Sequence, residues 1–418
     1  MQSLLQFVVG MLSARYLGPS NYGLINYAAS IVAFMIPVMQ LGLRSTLVQE
    51  HIQNPDAEGE IIGTSLAMNL VSSIACIIGV AAFAAVANPG EPTTILVCVL
   101  YSVSLLSQSI EMVQYWFQAK LLSKYSSPAL LLGYVVVSAY KIYLLATAKS
   151  VYWFALAHAV EYGVAGMFMM VAYHKVGTQK LRFSLSTAKR LFAKSKYYIV
   201  AALMVVAFNS VSSVLLKLFI NEAENGYYAA AVTCTCITAF VFEAIVDTIR
   251  PVIMESRKQS LEAFEQNVSR AYALITWLSL LQSIFFTVFA GLIVRILYGE
   301  EFLPTVLVLQ ILVWNTAFSY MGSVRNIWIL GEEKHNVLWV INLCGAIASI
   351  LLNLLLIPQW GACGAAIASV VTQIFTNFIV GYILKPIRRN NDLILKGLNP
   401  RLMIEMIQTV LKKTAPKA

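Results

Sequence analysis

Charge is scarce in this sequence. Only 12% of its 418 residues are Asp, Glu, Lys or Arg, whereas 59% are hydrophobic. A water-soluble domain carries roughly 25% charged residues, so half that value leaves too little polar surface to coat a soluble globule. Cysteine is sparse as well. Cys76, Cys98, Cys234, Cys236, Cys344 and Cys363 all fall inside apolar segments. Cys234 and Cys236 are two apart, point in different directions on a helix, and cannot clamp a metal. No nucleophile triad, metal motif or phosphate-binding glycine loop is present. No cleavable signal peptide is evident, and a multispanning chain can use its first span for targeting. Disulfide scaffolds, zinc sites and metal or other cofactors are therefore not expected.

What fills the chain instead is a series of apolar runs about 20 residues long, the mark of a polytopic helical membrane protein. A transmembrane barrel would alternate polar and apolar residues over ~10-residue strands, and this chain does not. Twelve spans are predicted. The first six end at Tyr16 or cover Leu24–Leu43, Ile61–Val86, Thr93–Ala119, Ala129–Ala148 and Tyr152–Tyr173. The second six cover Tyr197–Ile220, Tyr227–Ile249, Tyr272–Leu297, Thr305–Leu330, Val337–Ile357 and Ala362–Leu384. The first is short, because sixteen residues make ~24 Å of helix against a ~30 Å hydrocarbon core. It reads as a partial helix or a late start.

Between the halves lies His174 to Lys196, with seven cations and no acidic residue. If the loops after spans two, four, six, eight and ten and the C-terminal tail share one side, they hold twenty-four of the 29 Lys and Arg. Arg15, Lys149 and Arg295 lie on the other side, and Lys141 and Lys217 lie inside spans. That bias predicts both ends in the cytoplasm and an even span count. The net charge of +9 thus reflects topology and anionic headgroups, not nucleic acid. The expected organisation is an N-terminal lobe over 1–173, a basic cytoplasmic connector over 174–196 and a C-terminal lobe over 197–384. A basic tail over 385–418 follows. In it Met403, Ile404, Ile407, Val410 and Leu411 recur at helical spacing, predicting a short interfacial helix. The connector's length should let one lobe tilt against the other.

Six spans return the chain to its starting side, so the halves can be parallel repeats. A faint echo supports this: Tyr22-Gly23-Leu-Ile-Asn-Tyr-Ala28 and Asn225-Gly226-Tyr-Tyr-Ala-Ala-Ala231 both head the second span of a half. These stretches, with Ala14 to Tyr22, Leu352 to Pro358 and Trp360-Gly-Ala-Cys-Gly-Ala-Ala-Ile-Ala368, resemble the polysaccharide-biosynthesis flippases. These export lipid-linked O-antigen or capsule repeat units and share a superfamily with the multidrug-and-toxin extruders. The resemblance covers nearly the whole chain and rests on structural residues. It implies an all-α protein of two six-helix lobes with the multidrug-and-toxin-extrusion-like fold, alternating access, and a polyprenyl-pyrophosphate-linked oligosaccharide as substrate. It further implies a multi-pass location in a bacterial cytoplasmic membrane. Membrane lipids, a coupling proton or sodium ion, and other polysaccharide-assembly proteins are the expected partners. Where many relatives carry an acidic residue in the seventh span, this chain has Ser212-Ser213 and then Lys217.

A charged headgroup crossing hydrocarbon needs cations and hydrogen-bond donors shielded from lipid. The candidate cavity residues are Lys141, Lys217, Glu111, Gln114, Gln118, Arg44, Arg250 and Arg325. Snorkelling is the other reading for the two lysines, and topology for the three arginines. Gln108, Glu111, Gln114 and Gln118 form one polar face of span four, suited to sugar hydroxyls or to bundle packing. The candidate ion-coupling residues are His158 with Glu161, one turn apart, and Glu243 with Asp247 on the face that also carries Arg250. Each pair is alternatively a plain structural contact. An ion-coupled multidrug extruder of the same fold is the second hypothesis. A membrane glycan polymerase or glycosyltransferase is the third, but such an enzyme needs a substantial catalytic loop, and here every external loop is a few residues long. An enzyme is not expected.

Overall fold

The computed structural model describes residues 2–177 and 179–414. Among these, regular structure is helical throughout, with no strand. Among the described residues nine helices are long and apolar enough to cross a membrane, or ten if one bent pair makes a single span. Apolar side chains such as Val71, Val86 and Val288 are exposed on their outer faces. In water that would be costly; against lipid tails it is not. The chain forms two compact units, Met1–Gly226 and Tyr227–Ala418.

In the first unit, α1 (Gln2–Met39) is two helices joined at Gly18, whose φ of 69° and ψ of 170° are non-helical. Pro19 follows, and its missing N–H and the strain at Gly18 put the break there. Spans one and two therefore appear as one long element. The loop read as Arg44–Glu60 contains a short helix, α2 (Leu47–Gln53), before α3 (Glu58–Ala87). Span four comes in three pieces, α4 (Pro92–Ser102), α5 (Ser104–Glu111) and α6 (Gln114–Ala119). Next come α7 (Ser123–Ala146), α8 (Val151–Ala155) and α9 (Ala157–Val176). Then α10 (Leu185–Phe219) runs unbroken through the second half of the basic stretch, its start capped by the Ser184 hydroxyl, which accepts from Thr187 N at 3.4 Å.

The basic stretch is docked, not free. Arg182 N donates to Gly59 O at 3.1 Å, Gln179 Oε1 accepts from Gly59 N at 3.0 Å, and Ser184 N donates to Thr64 Oγ1 at 3.0 Å. Gly59 and Gly63 let its backbone lie directly on α3, because a Cβ at either would run into the carbonyl of Lys180 or Arg182. The acidic side of the attachment is Glu50, 2% exposed, which pairs with Lys194 and with Arg190 at 3.6 Å. Neighbouring His51 is buried, and desolvation lowers its imidazole to about 4, leaving it neutral at pH 7.

The second unit opens within α11 (Glu222–Cys236), which bends by 40° into α12 (Ala239–Gln259). Asn221–Gly226, read as a turn, is therefore largely helical. The polar stretch Met254–Gln266, read as a loop, is interrupted only at Ser260 before α13 (Leu261–Leu297); its hydroxyl accepts from Ala263 N at 3.1 Å. Charged residues sit comfortably there because they form ion pairs, such as Arg257–Glu332 at 3.3 Å. After α14 (Thr305–Gly331) comes α15 (Asn336–Ile374), which is again two helices, joined at Gly361 (φ 52°, ψ −132°). A single π-helical stretch, Phe375–Ile379, leads into α16 (Val380–Ile383) and α17 (Arg388–Lys396).

The C-terminal helix, α18 (Pro400–Thr414), packs on α13 with Met406 fully buried and Arg270 Nη2 2.8 Å from Glu405 Oε2. Ile404 and Ile407 remain exposed on its other side. The side chains of Val410 and Leu411, the rest of the expected apolar face, lie outside the described residues. The core of this unit joins α12, α13 and α14 around Phe264, Tyr272 and Trp328.

Candidate functional site

Two glycines assemble a polar cluster inside the first unit. Gly133 of α7 faces the Glu161 carbonyl and Ala165 of α9, and Gly166 of α9 faces Ile110 and the Glu111 amide of α5. Small residues at both crossings let the backbones approach, which draws Glu111 toward Glu161 from one side and Lys141 from the other. Glu161 is 6% exposed, and His158 Nδ1 lies 3.2 Å from its Oε2. The His158 ring is 5.3 Å from Tyr101 and 6.2 Å from Tyr162. Lys141, Glu111, Tyr101 and Tyr162 all interact electrostatically with Glu161. Residues read separately as substrate and ion candidates thus share one site.

Within it Lys141 is partly buried and makes no ion pair among the described residues. In a low-dielectric setting a cation without a contact partner is poised to take one. Arg44 is exposed at the turn after α1 but within electrostatic reach of Glu111 and Tyr115. An apolar groove of about 400 Å³ follows the same α5–α9 seam, lined by Ser107, Ile110, Ala159, Gly163 and Met167.

The polar face of span four is only partly kept. The chain turns at Met112–Val113 between α5 and α6. Gln108 is buried and Glu111 and Gln114 are half-buried, but Gln118 is exposed. Met112 and Val113 keep helical dihedrals, but the tighter i→i+3 bonds there, such as Tyr115 N to Met112 O at 3.2 Å, shift the register of the residues that follow.

Lys217 stands elsewhere and differently. Its ammonium is buried, 2.6 Å from Glu91 Oε2 and 2.9 Å from Glu222 Oε1, so it carries two counter-charges. The hydrogen bond from Lys217 holds the Glu91 carboxyl below the usual carboxylate range, with a second from Thr94. This ion triad borders a backbone junction. A Cβ at Gly226 would run into the Pro19 carbonyl, one at Gly23 into the Glu222 carbonyl, and Asn225 Nδ2 donates to Gly23 O at 2.7 Å. The two echoing segments of the sequence meet at this point.

In the second unit the other candidates separate. Glu243, Asp247 and Arg250 are all exposed on α12, with Arg250 Nη2 3.7 Å from Asp247 Oδ1. Arg325 is 8% exposed, and its Nη1 donates to Thr376 O and Asn377 Oδ1, both at 3.0 Å. A π-helical turn leaves backbone carbonyls without their usual partners, and Arg325 occupies one of them. Sequence reasoning missed this setting, along with Tyr101 and Tyr162 in the first unit. The signal available was the run of amides, Asn377, Asn390 and Asn391, around the last span.

A family model described as polysaccharide biosynthesis protein matches residues 12–307. The capsular polysaccharide biosynthesis protein CapF of Staphylococcus aureus is 21% identical over 385 residues, 89% of this chain and 93% of that protein. The probable low-salt glycan biosynthesis flippase Agl15 of Haloferax volcanii is 24% identical over 220 residues, 52% of this chain; the match spans about half, 47%, of that relative's length. Among solved structures, an inward-facing multidrug resistance MATE family transporter of the MOP superfamily aligns with a TM-score of 0.72. It is 14% identical over 95% of this chain and 96% of that one. The lipid II flippase MurJ, in an inward closed conformation, aligns with a TM-score of 0.71 and 11% identity over 98% and 95%. At such identities these two show a shared fold.

Proposed function

The chain belongs to the polysaccharide biosynthesis protein family, and from that premise we propose that it flips a polyprenyl-pyrophosphate-linked oligosaccharide across a cytoplasmic membrane. The observation that carries this reading is the cluster of the first unit: a cation without an ion pair, Lys141, beside amides and carboxylates at the level of the apolar spans. Lys141 would receive the diphosphate as a charge-assisted partner. Gln114 and Glu111 would meet sugar hydroxyls, and the adjoining apolar groove is a surface along which the lipid chain would run. His158 and Glu161, already in contact, would exchange a proton or bind a coupling ion as the site changes its access.

In this reading two six-helix lobes would alternate in access. Counting the halves of α1 and α15 separately would bring the ten candidate spans to twelve, an even number that would return both ends to the cytoplasmic side. In this reading no bond of the cargo is made or broken. Other polysaccharide-assembly proteins would supply and consume it, and the sugar would be O-antigen, capsule or exopolysaccharide repeat units.

The likeness to a multidrug transporter supports a second reading, an ion-coupled extruder in which Glu161 and Glu111 receive a cationic drug. One assay separates them. Purified protein in liposomes should move lipid-linked oligosaccharide to the outer leaflet, read by its cleavage with an external glycosidase. Transfer no faster than in empty liposomes, together with uptake of a cationic dye, would replace the flippase by the extruder.

A further inference from the structure

The second unit holds a cavity of about 1170 Å³ between the start of α13, the end of α14 and α17. Ser269, Trp328 and Leu393 are among its lining residues. Ser269 is 4% and Trp328 1% exposed, yet among the described residues the Ser269 hydroxyl and the Trp328 indole nitrogen have no hydrogen-bond partner. One helical turn away on the same three helices stand Tyr272, Arg325 and Asn390. Tyr272 donates to Asn390 Oδ1 at 2.7 Å, which leaves Asn390 Nδ2 unpartnered. Arg325 meets only neutral acceptors, its third bond being Nη2 to Asn326 Oδ1 at 3.4 Å, and its Nε is unpartnered.

Four of the six unpartnered atoms in this region can donate: Ser269 Oγ, Trp328 Nε1, Arg325 Nε and Asn390 Nδ2. The acceptors Asn391 Oδ1 and Glu332 Oε1 are the exceptions, and Glu332 is held by Arg257 at 3.3 Å. An indole, a guanidinium and an amide nitrogen cannot accept, and the Ser269 hydroxyl is the one group of the four that could, so these groups cannot all satisfy one another. What is missing is an acceptor with negative charge. A water molecule would meet the indole but leave the buried guanidinium uncompensated.

The mouth of the cavity agrees. Lys334 sits 4.7 Å over the Trp328 ring, and Lys396 makes no ion pair among the described residues. The lining carboxylates Glu265 and Glu332 are already neutralised, by Arg389 at 2.6 Å and by Arg257 and Lys334 at 3.3 and 3.4 Å. Glu262 alone opposes the cations, and it is exposed. Leu261, Leu395 and Leu402 add apolar wall.

We propose that this cavity binds a phosphate-type oxyanion, received by Trp328 Nε1 and Ser269 Oγ, with Lys334 and Lys396 at the mouth and Arg325 as the buried counter-charge. The site shares no residue with the cluster of the first unit and does not depend on what the protein transports. The leucines suit a lipid phosphate headgroup, and the polar floor suits free phosphate equally.

Full-length protein in phosphatidylcholine nanodiscs, titrated with inorganic phosphate, tests one source. Nanodiscs containing phosphatidic acid test the other. The readout is the thermal midpoint by far-ultraviolet circular dichroism. A rise with either ligand, weakened about fivefold in apparent affinity by Trp328→Phe and by Lys396→Ala, is the expected result. Trp328→Phe removes the donor together with part of the buried ring, so the exposed Lys396→Ala is the variant in which loss of folding does not confuse the reading. A response to phosphate in solution assigns a free anion, and a response only to phosphatidic acid assigns the headgroup. No response to either, or an equal response in both variants, would overturn the proposal.

Discussion

Lys217 and Lys141 both stand inside apolar helices of the first unit, α10 and α7, but only Lys217 has been given counter-charges. Two carboxylates lie within 3 Å of its ammonium, and the segments around it meet backbone to backbone through Gly23 and Gly226. Lys141 makes no ion pair among the described residues, and the carboxylate it interacts with electrostatically, Glu161, lies 3.2 Å from His158. A cation that the fold neutralises belongs to the fold. One left without a partner at the same kind of depth is available to a ligand, and that difference separates two lysines that look alike in sequence.

The comparison can be broken at four points, in falling order of effect on stability. Gly226→Ala should act most strongly, because its Cβ cannot coexist with the Pro19 carbonyl. A loss of about 2–3 kcal/mol is expected from such overpacking, seen as a lower thermal midpoint in detergent. A variant as stable as the parent would mean that this junction tolerates separation.

Lys217→Ala should cost about 1–2 kcal/mol. That is below the ~3–5 kcal/mol for breaking a fully buried pair, because Glu91 is 44% exposed and screened. Adding Glu91→Gln should restore part of the loss, since a neutral amide tolerates the missing cation; additive losses would argue against the triad.

The pH dependence of that pair gives a smaller effect with a definite sign. Lys217 depresses the folded-state pKa of Glu91 below its usual 4.5. The contribution is therefore fully present above about pH 4.5 and is lost as pH falls through the folded value. The difference in thermal midpoint between the parent and Lys217→Ala should shrink on acidification below pH 4.5, and a constant difference would assign the stabilisation to packing.

Lys141→Ala should change stability least, by under about 0.5 kcal/mol, while lowering lipid-linked oligosaccharide transfer at least tenfold, about 1.4 kcal/mol in the barrier. Equal membrane levels with unchanged transfer would return Lys141 to snorkelling. A stability loss as large as that of Lys217→Ala would erase the contrast altogether.

Much of the architecture was legible in the residues. Apolar runs marked the spans, the gap between Tyr16 and Leu24 marked the break inside α1, and the segments at Gly23 and Gly226 hinted at a repeat. Errors arose where local polarity stood in for loop. Met254–Gln266 reads as polar, yet α12 and α13 run through it, and Arg257 and Glu265 find their partners, Glu332 and Arg389, far away in sequence. The connector reads as a tether because the acid opposite it, Glu50, comes from the short helix α2, more than a hundred residues earlier. At the candidate site, His158 and Glu161 were visible as an i, i+3 pair. Their meeting with Lys141 and Glu111 was not, because it depends on which helices cross at Gly133 and Gly166.

By itself, then, the sequence determined the class of protein: helical, polytopic, low in charge, with its cations biased to alternate loops and its few intramembrane charges open to view. Tertiary structure alone decided which of those charges are neutralised, Lys217 by Glu91 and Glu222, and which are left, Lys141 in the first unit and Arg325 in the second. The physical reason is that an apolar face packs as well on lipid as on another helix. Hydropathy therefore reports that a helix is buried, but not against what, and the pairing of buried charges follows from helix crossings that hydropathy does not encode.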